Sequence, residues 1–173
     1  DARAWVIEAA QAANSAVYRE REAAGNDMAC TLVLALLVGR MATIINVGDS
    51  RAYLLGERRI RQVTVDHSLV ERLVAIGHLT REDARHHPQK NVIYRVVGDE
   101  PSLQYDIFDV ALSPGEGLLL CSDGLTDMVD DERILEVWRE ATSAQSACER
   151  LVDLANEAGG HDNITVVILN VNR

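Results

Sequence analysis

The apolar positions of this chain fall first at helical spacing and then at strand spacing. Between about Ala2 and Ala24, Trp5, Val6, Ala9, Ala13, Ala16 and Val17 recur along one stripe, which predicts an amphipathic helix. Gly25-Asn26 ends it, and Trp5 reads as core. From Thr31 the apolar residues then run continuously through Leu32 to Val38, Gly39-Arg40 breaks the run, and Met41 to Val47 is rich in Ile and Val. This predicts a hairpin of two interior strands. Ala52 to Leu55 and Ile60 to Val65, separated by Gly56-Glu57-Arg58-Arg59, extend it into an antiparallel meander.

At Asp66-His67-Ser68 the texture becomes polar. Leu69, Val70, Leu73, Val74 and Ile76 predict a short helix ending at Gly77. Thr80 with Asp83 three residues on resembles a capping box for a second short helix over about Arg81 to His86, stopped before Pro88. His86 and His87 are adjacent and point in different directions on a helix, which argues against a shared metal site. The segment from Asn91 to Val97 is compatible with helix or strand. Residues 66 to 100 therefore read as a small helical insertion between strands. Leu103 to Val110 reads as a strand, Ser113-Pro114-Gly115-Glu116 as a turn, and Leu118 to Cys121 as a short buried strand. Asp130-Asp131-Glu132 gives an acidic start to a helix through about Trp138, favourable at a helix N-terminus. Thr142 or Ser143 caps a last helix whose apolar positions are Ala147, Leu151, Val152, Leu154 and Ala155, and Gly159-Gly160 ends it. Ile164 to Val171 forms a β-branched terminal strand.

A chain of 173 residues with 47% hydrophobic and 25% charged residues suits a single domain over 1–173 with a sizeable core. The formal net charge of −10 argues against non-specific nucleic-acid binding, which needs a basic surface. Cys30, Cys121 and Cys148 are widely spaced with no C-x-x-C pair, which argues against a disulfide framework or a zinc site and for a reducing cytoplasm. No signal peptide is visible, and no apolar run reaches the roughly 18 residues of a membrane span.

Three aspartates share one local context. Asp49 and Asp123 follow apolar strands and Asp162 precedes one, each with a glycine one or two residues away. Gly124 allows a sharp turn just past the strand end, so Asp123 sits on the loop that follows a rigid element. Asx-type turns account for such aspartates equally well. If the three converge on one rim of a sheet, their carboxylates repel unless a cation lies among them. Without cysteine ligands or spaced histidine pairs that cation is hard, Mg²⁺ or Mn²⁺, and such a centre favours phosphoryl chemistry.

Val47-Gly48-Asp49-Ser50-Arg51, Cys121-Ser122-Asp123-Gly124-Leu125-Thr126-Asp127 and Gly160-His161-Asp162-Asn163-Ile164-Thr165 resemble, in order and spacing, three successive motifs of the PP2C (PPM) family of metal-dependent protein serine/threonine phosphatases. Asp66-His67-Ser68 and the helical insertion resemble the bacterial flap subdomain. Asp27-Met28-Ala29-Cys30-Thr31 resembles the family's Met-Gly-Thr-Thr stretch with Ala29 and Cys30 substituted. The resemblance spans nearly the whole chain. It implies an α+β fold, an α/β/β/α sandwich of two antiparallel sheets flanked by helices. It implies that Asp123 and Asp162 are ligands of a two-metal Mn²⁺ or Mg²⁺ centre and that Asp49 matches a third, weaker site. It implies direct attack of a metal-activated water on phosphoserine or phosphothreonine. Asn163 would orient the Asp162 loop, and Asp127 would cap or brace the loop after Asp123. Arg51 reads as structural, while Asp66 and Ser68 start the flap in turn roles or in contact with substrate. The implied partners are phosphorylated proteins and a Ser/Thr kinase with its substrates, with no nucleic acid and no membrane.

One departure stands out. The family's opening Arg-x-x-Asn-x-Asp and Asp-Gly-Met-Gly-Gly or Asp-Gly-His-Gly-Gly stretches do not occur among these residues, and with them the first strands and a bridging Asp are missing. The sequence is then a fragment of a longer enzyme, a chain completed by another, or a non-catalytic pseudophosphatase or binding module. By itself it is expected to catalyse weakly or not at all.

Overall fold

The computed structural model describes residues 1–171. The elements in chain order are α1 (Ala2–Ala24), β1 (Leu32–Val38), β2 (Met41–Val47), β3 (Arg51–Leu55), β4 (Ile60–Gln62), α2 (Leu69–Ala75), α3 (Arg81–Arg85), β5 (Asp106–Ala111), β6 (Gly117–Cys121), α4 (Asp123–Thr126), α5 (Asp131–Glu140), α6 (Ala144–Glu157) and β7 (Val166–Asn170). The fold is α+β, with two antiparallel sheets and helices. One sheet has the strand order β1-β2-β5 and the other β4-β3-β6-β7. Residues 1–36, 43–49 and 65–108 make one compact unit, and residues 37–42, 50–64 and 109–171 the other.

In the first unit α1 begins where the Asp1 side chain accepts from the Arg3 N–H and ends where Gly25 takes a left-handed φ of 60°. Its buried stripe is Val6, Ala10 and Asn14. Trp5, expected in the core, is instead 69% exposed: one residue is a 100° step on a helix, and Val6 takes the inward position. Val6 and Ala10 pack with Ile45, Val47, Val97 and Leu103. Asn14 is buried as a connector. Its Nδ2 donates to the Glu100 carbonyl (2.9 Å) and its Oδ1 accepts from the Gly98 N–H (2.8 Å). Gly98 leaves no room for a Cβ against Val17. Of the β1–β2 hairpin strands β2 is interior, but β1 lies at the sheet edge and is half-buried. Thr80 caps α3 as its spacing predicts, accepting from the Asp83 N–H at 3.0 Å. The undecided stretch from Asn91 to Val97 forms no long element; Ile93 bridges Ser68 and Val97 bridges Cys30.

The expected meander is also corrected. β2 and β3 belong to different sheets, and the chain leaves the first sheet at Gly48, whose φ is 106°. In the second unit, β3 pairs β4 on one side and β6 on the other, and β6 pairs β7 with Leu120 opposite Val167 and Cys121 opposite Val166. Tyr53, Leu119 and Cys121 from this sheet pack with Ile134, Val137, Ala147, Leu151 and Ala155 from α5 and α6. Asp130 caps α5, and Ser143 with Ser146 closes a capping box on α6. Arg51 has the structural contact expected of it, donating to the Tyr53 hydroxyl at 3.1 Å.

Candidate functional site

Asp123 is the first residue of α4, separated from the end of β6 by Ser122 alone. The apolar run Leu118–Leu120 makes β6 a buried strand between two neighbours, so the position that follows it is fixed by the sheet. Asp123 is half-buried, and burial pushes its carboxyl above the ordinary carboxylate range; the negative charges of Asp162 and Asp127 push it further. Residues 39 positions apart in sequence thus share one electrostatic field. Asp127 is the C-cap of α4, its N–H bonded to the Asp123 carbonyl at 2.8 Å. Asp162 is exposed, and its Oδ1 accepts from the Asn163 N–H at 2.6 Å.

Two residues hold the Asp162 loop against Asp123. Ser122 Oγ donates to the Asn163 carbonyl (3.1 Å) and accepts from the Thr165 N–H (3.0 Å), while the Ser122 N–H donates to the Thr165 carbonyl (3.1 Å). Gly124 packs so closely on Asn163 that a Cβ there would collide with the Asn163 carbonyl. The glycine therefore provides space, not the backbone freedom expected from sequence; Gly124 is helical and has no positive φ. Ser122 was not singled out in the sequence, where it reads as an ordinary strand-end serine. Ser122→Ala is expected to cost roughly 1 kcal/mol in stability, which urea unfolding would measure.

The remaining candidates lie in the other unit. Asp49 follows β2 and is partly buried. Asp66 and Ser68 are buried, and Ser68 caps α2 by accepting from the Glu71 N–H at 3.3 Å. Beside them is a cluster that sequence reading missed. His67 Nε2 lies 3.1 Å from Asp106 Oδ2, and Arg95 donates to Asp106 Oδ1 at 3.0 Å. Burial lowers the His67 pKa despite the Asp106 hydrogen bond, a shift that favours the neutral ring. Partial burial works against the Asp106 carboxylate, but the hydrogen bonds from His67 and Arg95 outweigh it and hold its pKa below the ordinary range. No local spacing signals this cluster, because its members come from three separate stretches.

The family model for protein phosphatase 2C matches residues 1–157. The chain belongs to the protein phosphatase 2C family. It is 39% identical over 170 residues to a Listeria welshimeri serine/threonine phosphatase stp, covering 97% of this chain and 68% of that one. The crystal structure of serine/threonine phosphatase Stp1 from Staphylococcus aureus superposes with a TM-score of 0.93 at 34% identity, over 99% of this chain and 68% of that chain. The catalytic domain of the serine/threonine protein phosphatase PstP, in complex with two manganese ions, superposes with a TM-score of 0.90 at 35% identity, over 100% of this chain and 73% of that chain. The chain thus spans about two thirds of the length of the Listeria relative it matches. These likenesses carry the PP2C fold that the motifs imply.

The residues present fit a hard divalent cation. Asp123 and Asp162 are oxygen donors whose repulsion a cation would relieve. Among the described residues no group of three or more His, Cys, Asp or Glu side chains is placed to hold a metal ion. Mg²⁺-like ions are commonly bound through one or two carboxylates, with water and phosphate oxygens completing the shell. No helix of the described residues is long and apolar enough to cross a membrane.

Proposed function

We propose that the protein hydrolyses phosphoserine and phosphothreonine esters on other proteins, with Asp123 and Asp162 holding Mn²⁺ or Mg²⁺ in a two-site centre and Asp49 serving a further, weaker cation. The observation that carries this reading is the packing of the Asp162 loop on the start of α4, where Ser122 bonds Asn163 and Thr165 and Gly124 lies against the Asn163 carbonyl; the charge of Asp162 raises the Asp123 carboxyl there. The cations, when bound, would acidify a water and draw charge from the phosphate oxygens. The chain's own residues hold the Asp162 loop on the start of α4: Ser122 ties down the 163–165 backbone, Gly124 admits the close approach of Asn163, and Asp127 adds negative charge. Asn163 orients the Asp162 carboxylate through its N–H. Residues 66–100 resemble the bacterial flap subdomain, and Asp66 and Ser68 at its start would serve there as turn residues or in contact with substrate. The natural substrates would be cytoplasmic phosphoproteins, among them a Ser/Thr kinase and its targets.

Phosphate release from a phosphothreonine peptide by the complete protein is expected to require Mn²⁺ or Mg²⁺ and to stop on chelation. No release at saturating Mn²⁺ would overturn the catalytic reading, and phosphoprotein binding retained under those conditions would favour a non-catalytic docking module.

A further inference from the structure

Gly48, the residue before Asp49, is held at both backbone groups by a single residue. Its N–H donates to His67 Nδ1 at 3.0 Å, and its carbonyl accepts from the His67 N–H at 2.9 Å. Asn46 Nδ2 is a further donor to the same carbonyl at 3.3 Å. Gly48 has a positive φ of 106° and would drive a Cβ into Thr31. The backbone that leads into Asp49 is therefore clamped from several sides, and His67, 1% exposed, is the side chain that does most of it.

Hydrogen-bond direction fixes the protonation of this ring. Nδ1 faces an N–H donor, so it carries the lone pair, and the neutral imidazole bears its proton on Nε2. That proton is directed at Asp106 Oδ2, 3.1 Å away. Arg95 Nη1 anchors the carboxylate through Oδ1 at 3.0 Å. It also lies 3.0 Å from His67 Nε2, where it cannot bond to a protonated nitrogen. The opposite tautomer would set an Nδ1 proton against the Gly48 N–H. Asp106 thus selects the tautomer in which Nδ1 accepts, much as a carboxylate orients a histidine whose other nitrogen has a task.

We propose that His67 is a positioning residue: accepting at Nδ1, with its tautomer set by Asp106, it fixes the Gly48 peptide and so presents the Asp49 carboxylate in the orientation a divalent cation needs. This rests on the reading of Asp49 as the ligand of the weaker cation. It gives the hydrogen bonds that the buried His67 makes with the partly exposed Asp106 and Arg95 a role beyond packing.

Three substitutions separate the two ends of the ring. His67→Asn places an acceptor oxygen near the position of Nδ1. His67→Gln places its amide near Nε2 and offers nothing to Gly48, and His67→Ala removes both. In the complete protein, the exchange protection of the Gly48 amide is read by NMR and Mn²⁺ affinity by calorimetry. His67→Ala and His67→Gln are expected to lose Gly48 protection and to weaken the lowest-affinity Mn²⁺ site about 10-fold, with His67→Asn restoring both to within about threefold. Asp49→Ala is expected to remove that site. Unchanged protection and affinity in His67→Ala, with the site lost in Asp49→Ala, overturns the positioning role alone. Every Mn²⁺ site surviving Asp49→Ala overturns the ligand reading and the proposal with it. If His67→Ala does not fold, the other two variants decide, and equal behaviour of His67→Asn and His67→Gln overturns the proposal.

Discussion

Asp123→Asn is expected to lower phosphate release by the complete protein at least ~100-fold, a loss larger than that usually seen for residues that merely support a metal ligand. The same substitution is expected to make the metal-free chain more stable at neutral pH. Burial, Asp162 and Asp127 all raise the Asp123 pKa in the folded state, so folding favours the protonated carboxyl. The stability this gives is fully present below the ordinary carboxylate pKa and is lost as pH rises through the raised folded value. At neutral pH the ionised carboxylate opposes folding, and a neutral amide of the same shape removes that opposition. The urea midpoint of Asp123→Asn should exceed that of the parent at neutral pH without metal, and the gap should narrow in acid. Saturating Mn²⁺ should reverse the order, because an ion that binds only the folded parent stabilises it by mass action. A variant that retains activity, or a parent that Mn²⁺ fails to stabilise, would remove Asp123 from the centre.

Gly124→Ala is expected to destabilise the protein by about 1–3 kcal/mol, the usual cost of forcing extra volume into a packed site. Helix propensity predicts the opposite sign: Gly124 lies within α4, where alanine is normally better by about 0.5–1 kcal/mol. The steric term wins because the new Cβ meets the Asn163 carbonyl, and that backbone is tied by Ser122 and cannot swing away freely. If the loop does yield, Asp162 moves away from Asp123 and Mn²⁺ affinity falls with stability. Thermal unfolding and Mn²⁺ titration of one preparation would show both. A rise in melting temperature would mean that propensity, not contact, governs this position.

Much of the secondary structure was legible because its signals are local. Gly25 at a left-handed φ, Thr80 with Asp83 and the acidic start of α5 lie within a few residues of the ends they define. The apolar stripe of α1 was less so. A Trp5 that looked like core faces solvent, and a polar Asn14 is buried, because its partners Gly98 and Glu100 lie more than 80 positions away. The passage from β2 to β3 read as a continuing meander, since a sheet change at Gly48 leaves the alternation of residues on either side unaltered.

The sequence by itself determined most of the order of helices and strands, though not the short α4 at Asp123, together with the family resemblance and Asp49, Asp123 and Asp162 as the carboxylates to consider, since each sits beside a strand and a glycine in a recognisable short motif. Tertiary structure decided which charges share a field, and hence why the Asp123 pKa rises. It decided that Gly124 is needed for the approach of Asn163, and that Ser122 and His67 hold the backbones beside the candidate ligands. The physical reason is distance along the chain. Caps, turns and amphipathic stripes act over a handful of residues, whereas Ser122 meets Asn163 across 41 positions and His67 meets Asp106 across 39, and contacts of that range exist only once the sheets have formed.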